Sequence, residues 1–202
     1  MFALVEDGSI TKYFSGNRGF TLNGNQYSKQ IFSLWTKDER EAIGIYEVEM
    51  DNSNRKDEKW YSNTAVSYSF GSGKVTGSYG SATAKAHADT LYTAQDESDG
   101  KGTEGEVAGK GLKTIKIRDV KKEAANILAE TDWYIIRKAD ANTAIPSAIT
   151  NHRAAVRTKA AEQETAITNA SNTAALETLY TYTKQEDGSV TRPLGELPRL
   201  ET

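Results

Sequence analysis

The sequence contains no cysteine, two histidines and three prolines. Lack of cysteine removes disulfides, zinc–thiolate sites, thiol nucleophiles and redox couples together, and it says nothing about compartment. With only His87 and His152, a three-histidine metal site is excluded and a two-histidine site would need both. No apolar run approaches the roughly 18–20 residues that span a bilayer. The opening Met1-Phe2-Ala3-Leu4-Val5-Glu6-Asp7 lacks the basic and apolar regions of a signal peptide. Neither secretion by that route nor membrane residence is therefore expected. Positive charge is not in excess either: 25 Lys and Arg face 28 Asp and Glu, for a net charge of −3. That balance argues against a nucleic-acid partner, whose phosphates need clustered cations. The 202 residues suit one elaborated domain or two small ones, and a 37% hydrophobic content provides a modest core.

What is present begins as β structure. Phe2 to Val5 and Ile10 to Phe14 flank Asp7-Gly8, and a second pair of short strands flanks Asn23-Gly24. Both dipeptides supply the positive φ angles that two-residue hairpin turns require. Thr36 and Glu39 form a capping box for a short helix that Gly44 ends. Ile45 to Met50 alternates apolar and acidic residues, the period of a strand with one wet face. Residues 51–59 read as a surface loop. From Trp60 to Lys85 the sequence is rich in Ser, Thr, Gly and Tyr, with Gly71-Ser72-Gly73 as the turn of another hairpin. So few bulky residues cannot hold a hairpin alone, so it is expected to lean on a neighbour.

Five glycines between 93 and 111 suggest a linker there, with β structure before it and helix after. Leu112 to Ala129 places Val120, Ala124, Ile127 and Leu128 on one helical face. Thr131 or Asp132 caps a second, short helix that Asn142 stops. Pro146, suited to a first helical position, starts a longer helix to about Ala170. The stripe of this helix runs Ile149, Arg153, Val156, Ala160, Gln163, Ile167, Ala170. Its two polar interruptions favour packing within its own domain over a subunit interface, and both readings stay open. Thr173 to Tyr182 forms a last helix, and 184–202, with Pro193 and Pro198, is expected to be extended or docked on a partner.

The fold class expected is α+β: an antiparallel β-rich part with one short helix, then a helical part with one longer helix. Its domains are 1–92 (β-rich), 93–111 (Gly-rich linker), 112–183 (helical) and 184–202 (extended tail). No cofactor is expected. Gly105 to Gly111 imitates a phosphate loop, but three residues rather than four separate its glycines and Gly111 stands where Ser or Thr would hold magnesium. Asp96 to Gly100 and Asp51 to Arg55 fail the calcium-loop pattern, through Lys101 at the glycine position and Arg55 at a ligand position. His87-Ala88-Asp89 is read as a hydrogen-bonded or exposed histidine. No Gly-x-Ser-x-Gly elbow or carboxylate pair in apolar context is present, so no catalytic residue is named. Tyr61, Tyr68 and Tyr79, set among small polar residues, suit a contact surface as well as ordinary strand packing.

Thr131-Asp132-Trp133, Arg137, Ile145-Pro146, and then Arg153 and Arg157 form an ordered pattern: an Asp-Trp, an arginine four residues on, an Ile-Pro, then a helix with paired arginines. This pattern resembles small bacteriophage tail proteins of the tail-fibre-associated and tail-fibre-assembly kind. Phe2 to Ile10 is similar to their opening hairpin, and Phe32 to Trp35 with Gly44 to Tyr46 is similar to the segment that follows. Ala84 to Leu91, Gly109 to Thr114 and Arg192 to Glu196 resemble proteins of marine phages more narrowly. The resemblance implies a non-enzymatic virion component, made in the host cytoplasm and residing in the tail, that binds other tail or fibre proteins or further copies of itself. A fibre-assembly chaperone is the alternative, and a tail-borne glycan-active enzyme a third. Physically, Asp132 is expected to cap the short helix, Trp133 to anchor it in the core and Pro146 to begin the next. Arg137, Arg153, Arg157, Leu194 and Leu197 are the expected partner contacts beside the three tyrosines.

Overall fold

A computed structural model describes residues 1–200. It divides the chain into two compact units, Met1–Thr83 and Ala84–Thr202. The architecture is α+β, with strands concentrated in the first unit and the long helices in the second.

The first unit grows from three tight hairpins. Strands β1 (Phe2–Glu6) and β2 (Ser9–Phe14) join at Asp7-Gly8, and β3 (Phe20–Leu22) and β4 (Asn25–Tyr27) join at Asn23-Gly24. All four turn residues have φ between 50° and 79°, the left-handed pair that continues strand twist. Two short helices follow, α1 (Ile31–Leu34) and α2 (Lys37–Glu41), where the sequence suggests one. Thr36 caps α2 as expected, with its hydroxyl accepting from Glu39 N–H while the Glu39 carboxylate accepts from Thr36 N–H at 2.7 Å. Gly44 turns the chain into β5 (Ile45–Asp51) at φ 79°. A Cβ there would lie 2.8 Å from the Val5 carbonyl oxygen.

After β6 (Tyr61–Ser62) the third hairpin, β7 (Val66–Gly71) and β8 (Lys74–Tyr79), turns on Ser72 and Gly73, and the two-residue β9 (Thr83–Ala84) falls on the boundary of the units. The main sheet has the order β2-β1-β5-β8-β7, antiparallel except for the β5–β8 pair. It curls: Tyr13 on one edge strand and Tyr68 on the other bring their rings to 5.1 Å. The weak hairpin thus finds its neighbour inside the unit, because β8 is an interior strand and Tyr68 lies across Gly77, where a Cβ would sit 2.9 Å from its ring. The core joins Phe2, Leu4, Phe14, Ile31, Phe32 and Ile45. Arg40 closes one side, with its guanidinium over the Phe2 ring and donating to the Trp35 carbonyl.

The second unit corrects the linker reading of 93–111. This segment is folded, because its polar groups satisfy one another. Strand β10 (Thr90–Leu91) pairs with β11 (Val107–Gly109), and between them α3 (Ala94–Ser98) is capped by Thr93 and Asp96. Lys101 closes the turn with ion pairs of 3.0 Å to Asp96 and to Asp99. The phosphate-loop mimic is a close crossing of backbones: a Cβ on Gly111 would lie 2.2 Å from the Ala88 carbonyl, while Gly111 N–H donates to Asp89 at 2.7 Å.

Helix α4 (Leu112–Ala129) then packs on α6 (Ser147–Asn169), with α5 (Asp132–Ala141) between them in sequence and α7 (Thr173–Tyr180) after them. Every member of the stripe from Ile149 to Ala170 is buried, Arg153 and Gln163 included. The seam is internal packing of this unit. Lys113 reaches across to donate to the Thr168 carbonyl at the α6 C-terminus, 2.8 Å away, a favourable place for a cation.

The tail reading is also corrected. Strands β12 (Thr183–Lys184) and β13 (Val190–Thr191) form a ribbon, and the chain folds back so that Leu194 N–H donates to the Leu179 carbonyl and Gln163 donates to the Gly195 carbonyl. Leu194 and Leu197 are buried in their own unit rather than presented to a partner.

Candidate interaction surface around helix α5

The residues that carry the phage-like pattern meet where α4 ends, α5 begins and α6 passes. The Leu128 carbonyl at the end of α4 accepts from the Thr131 N–H at 3.1 Å, and Arg153 adds a charged donor there. One guanidinium nitrogen donates to the Leu128 carbonyl at 2.6 Å and to the Thr131 hydroxyl at 2.7 Å, and the other pairs with Asp132 at 2.8 Å. Thr131 is buried and also donates its hydroxyl to Leu128. Asp132 is therefore the first helical residue and the acid of an ion pair, and the cap position belongs to Thr131. Pro146 likewise stands one place earlier than expected, at the N-cap of α6, with its carbonyl accepting from Thr150 N–H. Arg153 is thus a buried clip joining three helical segments, not a contact offered outward.

Trp133 departs furthest from expectation. It is 50% exposed, and no residue of α5 is buried. Its ring lies against Tyr134, with centroids 3.8 Å apart, and the Arg137 guanidinium covers Trp133 at 4.7 Å and Tyr134 at 5.3 Å. The ring quadrupoles attract the guanidinium in this arrangement. It also leaves the Arg137 Nε buried with no hydrogen-bond partner among the described residues. On the outward side, Ile135 and Ile136 are 42% and 67% exposed.

Those two isoleucines were absent from the expected contacts, although a signal was available. Trp133-Tyr134-Ile135-Ile136 are four consecutive bulky residues, and at 100° per residue they sweep about 300° of the helix surface. A helix packed on one side cannot bury such a run.

The other expected contacts lie elsewhere. Arg157 is exposed on α6, one turn beyond Arg153. Tyr61, Tyr68 and Tyr79 are half-buried in the first unit, where Arg55 lies over Tyr79. Near the C-terminus Arg192 stands over Tyr180 and Tyr182 and pairs with Glu196 at 2.8 Å, while burial pushes the Tyr180 hydroxyl up to about 12.

An open cleft of about 370 Å³ beside α4 is lined by Glu123 and Glu130 among others. Glu123 lies on α4 and Glu130 at its C-cap, seven residues or about 10 Å along the helix rise, and both are exposed, outside the apolar setting that tunes a carboxylic acid for proton transfer. Among the described residues no three His, Asp or Glu side chains gather as a metal site, and no helix is long and apolar enough to cross a membrane. Comparison with protein-family models, curated proteins and solved structures gave no match.

Proposed function

We propose that this protein is a non-enzymatic structural component of a bacteriophage tail, which binds other tail subunits through the outward face of α5. The observation that supports the reading most is the exposed Trp133–Ile135–Ile136 face on a helix fixed at its root by Arg153. Rigid aromatic anchors on a positioned element are what interfaces use for affinity, and exposed apolar patches mark docking sites. The tail context rests on the ordered Asp-Trp, Arg, Ile-Pro and Arg pattern, whose Asp132, Arg153 and Pro146 build that root.

Mass spectrometry of purified particles carrying the wild-type gene or Ile136→Glu tests it. The wild-type chain is expected in mature virions and the variant depleted at least tenfold. A chain needed for fibre folding yet missing from mature particles overturns the structural role in favour of an assembly chaperone.

A further inference from the structure

We infer that a cationic cleft in the first unit binds a phosphate monoester. The cleft holds about 210 Å³ beside the turn from Ser15 to Gly19, which joins β2 to β3, and both Lys12 and Arg18 line it. A space below the roughly 300–1,000 Å³ of whole-ligand pockets takes a headgroup rather than a complete cofactor. The site belongs to the first unit and does not depend on the reading of α5.

This cleft is rich in unused donors. Neither Lys12 nor Arg18 has an ion pair or hydrogen bond among the described residues, whereas the other two arginines of the unit, Arg40 and Arg55, pair with Glu47 and Glu58. No carboxylate is among the lining residues. The Lys12 ammonium stands 5.4 Å from the centroid of the Phe14 ring, which attracts its charge without neutralising it. The backbone N–H groups of Gly16, Asn17 and Arg18 donate to nothing among the described residues. The Asn17 side-chain oxygen accepts from the Ser15 hydroxyl, so the amide nitrogen is a further spare donor. Charged and neutral donors without an acid among them select an acceptor-rich anion. A phosphate monoester carries a charge of about −2 near pH 7, which matches two cations better than the single charge of a carboxylate does. Two cations fall short of the row that a polynucleotide backbone requires.

The turn is fixed before any ligand arrives. Gly16 has φ +80°, and a Cβ there would lie 3.2 Å from the Phe2 ring and 3.6 Å from the Phe32 Cβ, both core residues. At the other end a Cβ on Gly19 would lie 2.7 Å from the Tyr27 carbonyl oxygen. A turn pinned at both ends gives up little conformational entropy on binding. Tyr13, 49% exposed and with its ring against Tyr68, adds a flat apolar face to the cleft lining. A carrier with an apolar face of its own, such as a sugar ring, gains from that contact, and free phosphate does not.

The test follows the amide resonances of the full-length chain near pH 7, at about 150 mM ionic strength to screen weak surface attraction, as glucose 6-phosphate, inorganic phosphate or glucuronate is added. Glucose 6-phosphate is expected to give saturable shifts at Gly16, Asn17 and Arg18 with a Kd on the order of 1 mM, about threefold tighter than inorganic phosphate. Lys12→Gln and Arg18→Gln alter exposed side chains and should each weaken binding about tenfold. Arg55→Gln, which removes the same charge elsewhere in the unit, should leave binding unchanged, and unshifted Ile45 and Val75 amides show that the variants keep their fold. Tyr13→Ala should erase the preference for the sugar phosphate. No saturable shift, an equal response to glucuronate, or equal weakening by Arg55→Gln overturns the inference. Inorganic phosphate bound as tightly as glucose 6-phosphate by the wild-type chain overturns the monoester and makes the cleft a site for the free anion.

Discussion

Helices α5 and α6 follow one another in the chain and treat their side chains in opposite ways. Helix α6 buries Arg153 and Gln163 in its inward stripe, whereas α5 leaves Trp133, Ile135 and Ile136 in water. Hydropathy alone would exchange these outcomes. The buried polar groups are tolerated because each has a named acceptor, Leu128, Thr131 and Asp132 for Arg153 and Gly195 for Gln163, so no desolvated donor is left over. The exposed apolar groups of α5 follow from their contiguity around a helix with one packed side. Satisfaction and geometry, more than polarity, sort these two helices.

The comparison breaks first at fully buried Ile167. Ile167→Ala is expected to destabilise the second unit by about 3 kcal/mol through lost burial and the cavity left behind. Ile136→Ala on α5 is expected to change stability by less than about 0.5 kcal/mol, as for other surface positions. Urea unfolding of the two variants reads the contrast directly, and similar losses would mean that α5 packs more tightly than its exposure indicates. Arg153→Met comes next. It removes two charge-assisted hydrogen bonds at a buried site, to the Leu128 carbonyl and the Thr131 hydroxyl, which keep only each other and the Thr131 N–H as partners, at a cost of about 2 kcal/mol. The ion pair adds little to this, because the Asp132 side chain is 55% exposed.

Much of this architecture was legible in the sequence, for reasons that separate local from long-range physics. Asp7-Gly8, Asn23-Gly24 and the Thr36–Glu39 capping box act within four residues, so their turns and cap could be read directly. The stripe of α6 was legible because period alone defines it. What sequence could not supply was the partner of each stripe or loop. The glycines of 93–111 look like flexibility until Ala88, twenty-three positions before Gly111, is placed against it. Leu194 and Leu197 look like free anchors until the chain turns back toward Leu179. Trp133 was misread for a related reason. Asp-Trp at a helix start says where the ring begins, and only the direction of α5 says whether it faces protein or water.

Two glycines of the 93–111 segment sharpen the distinction between packing and backbone freedom. Gly111 has an ordinary φ of −78° but no room for a Cβ, so Gly111→Ala must part the chain from Ala88 and weaken the bond to Asp89. A loss of about 2 kcal/mol is expected, within the usual range for a forced backbone shift. Gly105 is the reverse case, with open space around it and φ +84°. Gly105→Ala is expected to cost about 1 kcal/mol from left-handed strain alone. Urea unfolding orders the two, and Gly105→Ala as the worse variant would return the segment to a strain-dominated turn.

The smallest effect expected is that of pH on the same segment. Gly111 N–H foremost, then the Thr114 hydroxyl and the Lys110 charge, hold the Asp89 carboxyl below its usual 3.8 against partial desolvation. Thr93 N–H and hydroxyl, with Lys101, do the same for Asp96. A carboxyl depressed in the folded state contributes stability that is present above its unfolded value and is lost as pH falls through the folded one. Lys101 is raised above 10.5, first by Asp96 and then by Asp99. Its contribution is complete below 10.5 and disappears as pH rises through the folded value. Residues 93–111 should therefore be held most firmly between these limits and loosen at both ends, whereas α5 and α6 have no comparable carboxylate bridge between backbone segments. Hydrogen exchange of the Gly111 amide across acid pH measures the lower limb, and Asp89→Asn, which keeps an acceptor but removes the charge, should flatten it. An unchanged acid limb in Asp89→Asn would assign the loosening to Asp96 and leave the Gly111 crossing dependent on packing against Ala88 alone.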